Sequence, residues 1–227
     1  MSESTSPSPL ARCWQWLTGD AAVELPDPGL GAANHEPIDW RRAVPFAALH
    51  LGCLLVLVTG VSWTAVAVCL GLYIARMFFV TGFYHRYFAH RGFQTSRAFQ
   101  FVMGALGCTA GQRGPLWWAA QHRHHHNHSD GEKDHHSPRQ LGFWRAHLGW
   151  FLTRTGFTTD RTYVGDWARY PELRWLNRLD WVPLLLLGGS LYLFGAFLNQ
   201  TWPGLNTSGL QLLAWGFFVS TILCYHA

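Results

Sequence analysis

Charge is scarce in this sequence. Asp, Glu, Lys and Arg make up 13% of its 227 residues, about half the share of an ordinary soluble domain. Lysine is almost missing: Lys133 stands alone among 17 basic residues, and the rest are arginine. With 49% hydrophobic and 15% aromatic residues, this composition excludes a disordered, collagen-like or coiled-coil chain. The five cysteines, at 13, 53, 69, 108 and 224, make no CxxC pair and no disulfide framework. No basic stretch followed by an apolar core and a small-residue cleavage site opens the chain, so no signal peptide is expected there. No basic cluster is interleaved with a recognition motif, which argues against a nucleic-acid partner.

What is present is concentrated. The mean hydropathy of +0.03 averages long apolar runs with a middle region rich in His and Arg. Residues 1–40, Ser/Pro-rich and then rich in Pro, Gly and acidic residues, read as a mobile tail and linker, with a possible interfacial turn at Leu10–Leu17. From Ala43 to Ala75 there is no charge at all. As one helix that run would reach roughly 50 Å, well beyond the ~30 Å hydrocarbon core. A break at Gly60-Val61-Ser62 divides it into spans 43–59 and 63–83, with Arg76 and Tyr84 placed at an interfacial end. A second uncharged run starts at Trp181, and the turn signals from Asn199 to Ser208 divide it into 181–198 and 209–227. The stretch 98–112 is too short and glycine-broken to cross, and reads as an interfacial or buried helix. The expected fold is therefore all-α: four transmembrane helices in two hairpins, with a helical histidine-rich region between them. That region, 84–180, holds twelve Arg and Lys133, while both hairpin turns lack Lys and Arg. The positive-inside rule then places the N-terminus, the middle region and the C-terminus in the cytoplasm.

Seven of the thirteen histidines fall between 122 and 136. On a helix, His122, His125 and His126 share a face within an arc of about 100°, so they could converge on one metal or on two neighbouring metals. His124 and His128 fall off that face, towards solvent or a supporting place. His85 and His90 sit about 140° apart on an ideal helix. They can face one centre only if the helix ends, unwinds or bulges, and Gly82 and Gly92 bracket the segment. Asp130, Glu132 and Asp134 either orient ring N–H groups, as ligating imidazoles require, or are ordinary surface charges. His50, in the first apolar run, reads as a hydrogen-bonded packing residue. A solvated His-rich loop of a zinc-handling membrane protein is the rival from another class.

The motifs HRYFAH (85–90) and HRHHH (122–126), with Asp134, His136 and Gly142-Phe143…His147-Leu148-Gly149-Trp150, resemble the membrane-bound fatty acid (acyl-CoA) desaturases, most of all the Δ9, stearoyl-CoA desaturase-like branch. That family carries HRxxxH, HRxHHxxxDxxxDPH and GFxxxHxGW; His135 stands where it usually has Pro. The resemblance covers about residues 40–227, so 41–227 reads as the desaturase domain. It implies two iron ions (Fe2+) with O2 as co-substrate, ligated by His85, His90, His122, His125 and His126, with Asp130, Asp134 and His136 around them. It also implies a fatty acyl substrate, acyl-CoA foremost, a cis double bond as product, and an external electron donor of the ferredoxin, rubredoxin or cytochrome b5 type. Arg113, Trp117 and Trp118 precede the second box where the family builds its acyl tunnel; an interfacial aromatic belt is the other reading of the two tryptophans. Arg113, Arg123 and Arg145 are candidates for carrier phosphates. Hydroxylation of a fatty acid, alkane or carotenoid is the sister reaction on the same scaffold.

The family continues after its fourth span into NSxxH and a third box, HNxHH. This sequence closes on Cys224-Tyr225-His226-Ala227, and His226 matches neither motif. The expectation is a C-terminally truncated chain that is inactive or nearly so on its own, or a non-catalytic remnant that associates with a full-length enzyme.

Overall fold

The computed structural model describes residues 36–227, together with Ser8 and Leu10. The tail over 1–35 and the turn at Leu10–Leu17 thus lie almost wholly outside the described residues. Among those described, every regular element is helical. Four helices are long and apolar enough to cross a membrane: α1 (Trp40–Thr59), α2 (Trp63–Ala89), α6 (Trp181–Thr201) and α7 (Gly209–His226). Between the hairpins lie α3 (Arg97–Cys108), α4 (Pro115–His128) and α5 (Pro171–Arg178), with a short turn between α3 and α4 and a longer stretch of short helical segments between α4 and α5.

The hairpin turns form where the sequence placed them. Gly60 takes φ +66°, a conformation that costs glycine nothing, and the Ser62 hydroxyl caps α2 by accepting from the Ala65 N–H at 3.1 Å. The second turn ends on Ser208, which caps α7 through the Gln211 N–H. Gln211 then reaches the first hairpin, donating to the Thr59 carbonyl (2.9 Å) and accepting from Ser62 (2.7 Å). Helix α7 packs on the other three spans around Ala65, Leu191, Leu198, Leu212 and Phe217. Leu57, Val58 and Leu186 point outward, as lipid-facing side chains do.

One expectation needs correction. Arg76 and Tyr84 do not mark an interfacial end: α2 runs on to Ala89, and the two side chains are only 1% and 0% exposed. The Arg76 guanidinium donates to the carbonyls of Leu72 (3.3 Å) and Thr109 (3.0 Å) and to the hydroxyls of Thr221 (2.9 Å) and Ser220. The Tyr84 hydroxyl donates to the Arg113 carbonyl (3.0 Å). The sequence shows the charge but not the acceptors, most of which come from elements far along the chain. Helix α3 buries Gln100, Met103, Gly104, Gly107 and Cys108 against the end of α2 and does not cross. Its Gly107 has no room for a Cβ, which would lie 2.2 Å from the Tyr84 ring.

Candidate metal centre

The last ten residues of α2, Val80–Ala89, form a π-helix, and its wider turn carries the His90 N–H to the His85 carbonyl five residues back (3.1 Å). This is the local distortion that brings His85 and His90 onto one side, with ring centroids 4.5 Å apart. Helix α4 starts on Pro115, whose missing N–H costs nothing at that position. It presents His122 and His126, one turn apart, to the π-helix.

Four rings meet there. One ring nitrogen from each of His85, His90, His122 and His126 lies within 4.8 Å of the others. The Nε2 of His122 stands 3.0 Å from the Nε2 of His90 and 3.0 Å from that of His126. A ring nitrogen holds either one proton or one in-plane lone pair, so two-centre hydrogen bonds do not satisfy this three-way meeting. A cation bound by all the lone pairs does, and the residues therefore fit a metal. Burial, with the neighbouring imidazoles, pushes His122 down to about 3, and the same causes lower His90. Both rings are neutral at physiological pH, the form that ligates iron, zinc, copper or nickel.

His125 is not part of this cluster. Its Nδ1 lies 2.9 Å from an oxygen of Asp134, which leaves Nε2 as the ligating nitrogen. Asp134 is fully buried and also accepts the backbone N–H groups of Asp130 and His136, each at 2.9 Å. Burial acts to raise its carboxyl, but the hydrogen bonds from His125 and the two N–H groups outweigh that and hold it below the usual range. Asp130 accepts from Ser137 (2.9 Å) and so braces the turn rather than a ring. His136 lies 5.5 Å from His125, centroid to centroid; burial first, then His125, pushes it down to about 4. His124 is not solvent-facing: it is 2% exposed, stacked between His128 and His135.

A cavity of about 920 Å³ opens beside His122 and His136. Its apolar wall comes from the spans, through Phe46, Leu49, Leu184 and Phe217. Trp118 lines it and stacks on His122 (4.8 Å, 22°). Trp117 is 5% exposed and not part of an interfacial belt; its indole N–H donates to the Gly156 carbonyl (3.0 Å). Arg113 is held by Asp180 (3.0 Å) and the Phe157 carbonyl (2.7 Å). Arg145 donates to the Glu36 carbonyl (2.7 Å).

Sequence reasoning missed a second group of imidazoles. His50 Nε2 lies 3.0 Å from His226 Nε2, and His226 Nδ1 lies 3.1 Å from His147 Nε2. They join α1, α7 and the segment after α4, and only the fold brings residues 176 positions apart together. Asp166, which pairs with Arg123, was missed as well, because it belongs to no motif.

The fatty acid desaturase family profile matches residues 61–227. The sn-1 stearoyl-lipid 9-desaturase of Anabaena variabilis is 31% identical over 200 residues, covering 87% of this chain and 68% of that protein. The Delta-9 acyl-lipid desaturase 1 of Arabidopsis thaliana is 33% identical over 196 residues (82% of this chain, 59% of its own length). The Acyl-CoA C20 Delta5-desaturase of Anemone leveillei is 32% identical over 189 residues (78% and 54%). The chain thus spans between about half and two thirds of these relatives' length. The profile takes in both histidine motifs, three of the four membrane helices and most of the chain, and the chain belongs to the fatty acid desaturase family.

Proposed function

We propose that this chain supplies metal ligands and an acyl-binding cavity for a membrane oxidoreductase that introduces a cis double bond into a fatty acyl chain, with O2 and two electrons from an external carrier. The observation that carries the reading is the convergence of four imidazoles within 4.8 Å, one of which, His122, lines an apolar cavity. His85, His90, His122 and His126 would hold one iron ion, and His125, oriented by Asp134, would offer its Nε2 to a second. Bound iron would activate O2 to the strong oxidant that removing two hydrogens from an unactivated methylene pair demands. The protein's own part is ligation, orientation and exclusion of water. Asp134 fixes the His125 tautomer, Trp118 holds the His122 ring plane, and the walls of α1, α6 and α7 align the chain.

The acyl carrier is coenzyme A on the motif reading, whereas two of the relatives act on acyl lipids by name; Δ9 is the position we favour. The arginines of the middle region set that region, and both termini, on the cytoplasmic side, where a ferredoxin, rubredoxin or cytochrome b5 type donor has access. Expression in a host with a matching donor, with fatty acid analysis by mass spectrometry and metal analysis of the purified protein, tests the reading. The expected result is bound iron and a new monounsaturated acyl product. A hydroxylated product would transfer the chain to the sister reaction, and bound zinc with no product would point to metal handling.

A further inference from the structure

Arg123, the second residue of the HRHHH motif, is not available to a phosphate. Its Nε donates to the Ala89 carbonyl (2.8 Å) and its Nη2 to the Phe88 carbonyl (2.6 Å). Nη1 donates to the Tyr163 carbonyl (2.6 Å), and both terminal nitrogens reach the two oxygens of Asp166 at 2.9 and 3.0 Å. Five N–H groups thus meet acceptors, which is the full complement of a guanidinium. Phe88 and Ala89 are the last residues of the π-helix, whose terminal carbonyls lack intrahelical partners, and His90 follows directly. On the other side of His90, Arg91 donates to Asp166 as well (2.7 Å). The Trp167 indole N–H adds a bond to the Phe88 carbonyl (2.7 Å).

The short turn Gly165–Ala168 therefore fastens the chain before and after His90, and it grips the residue next to His122. We propose that Asp166 and Arg123 are positioning residues that set the distance between the His90 and His122 ring nitrogens, and so the affinity and geometry of the metal site. The proposal rests on the reading that His85, His90, His122 and His126 bind a metal. A lysine cannot replace the arginine, because one ammonium cannot span carbonyls on two sides and a bidentate carboxylate.

Metal-stripped protein in detergent, titrated with Co2+, tests this through the visible ligand-field bands, the dissociation constant from chelator competition, and melting of the metal-free form. Arg123→Lys and Asp166→Asn are expected to bind Co2+ about 10–100-fold more weakly, with shifted bands. Glu172→Gln, which breaks a peripheral ion pair with Arg97, should bind as the parent does. Variants that melt lower yet keep the parent's bands and affinity would show the brace to be structural only and overturn the proposal. Should those two variants fail to fold, Arg91→Gln decides. Its side chain is 57% exposed and reaches the site through Asp166, so several-fold weaker binding supports the proposal and unchanged binding sinks it. A parent protein that takes up no Co2+ would instead refute the metal reading itself.

Discussion

Two groups of histidines in this protein have almost the same spacing between ring nitrogens and a different topology. At the HRYFAH and HRHHH motifs, His122 Nε2 faces the Nε2 atoms of both His90 and His126 at 3.0 Å. Between His50, His226 and His147 the contacts of 3.0 and 3.1 Å are strung in series, with no ring nitrogen shared between two of them. That series ends at the Phe46 carbonyl, 2.9 Å from His50 Nδ1. Because a carbonyl only accepts, His50 must carry its proton on Nδ1, and the neutral tautomers of His226 and His147 follow in turn. Protons satisfy every contact of the series, whereas the converging group calls for a cation. Counting histidines does not find a metal site; asking whether several lone pairs share one point does.

The sharpest way to break this contrast is to delete one ring from each group. His122→Ala should lower metal affinity by more than about 100-fold, beyond the 10–100-fold typical of losing an outer partner. His226→Ala should leave metal stoichiometry and affinity intact, costing about 1 kcal/mol of stability. Metal analysis beside melting curves of both variants checks this, and metal loss in the His226 variant would erase the distinction.

An effect of intermediate size concerns pH. Burial pushes His122 and His135 to about 3 and His124 to about 4, while the same rings in an unfolded chain titrate near 6.5. Between those values the unfolded state binds more protons, so stability rises with pH through this window and falls on acidification from about pH 6.5 to about pH 4. Melting of the metal-free protein from pH 7.5 to 4 should show that decline; a flat profile would contradict the neutral, buried imidazoles.

The smallest effect isolates a third kind of histidine. His135 is 2% exposed, and neither ring nitrogen has a hydrogen-bond partner. Replacing it by an apolar residue of similar size removes two unsatisfied groups. His135→Leu should therefore raise stability by about 1 kcal/mol and flatten the acid decline slightly, with metal affinity unchanged. A destabilised variant would mean that this ring does something its contacts do not reveal.

The large features were legible in the sequence because they depend on counting. Charge-free runs long enough for a bilayer gave the four spans, and Gly60 with Ser62 gave the first turn. Helical spacing singled out His122, His125 and His126 together, of which the structure brings the first and last into the cluster, and the awkward five-residue step from His85 to His90 announced a distortion without saying which. The π-helix, the turn of His125 away from the cluster towards Asp134, and the burial of His124 were not legible. Each depends on which side of α4 faces α2, a tertiary fact with no local signal. Asp166 lay beyond reach for the same reason, 43 residues from the arginine it holds.

The buried guanidinium of Arg76 has a consequence for how the protein is made. In a lone helix entering a bilayer an arginine near the centre costs about 2.5–3.5 kcal/mol, and the hydroxyls that relieve it, on Ser220 and Thr221, are synthesised some 145 residues later. Helix α2 alone therefore lacks acceptors for its guanidinium, and two of the four arrive only with α7.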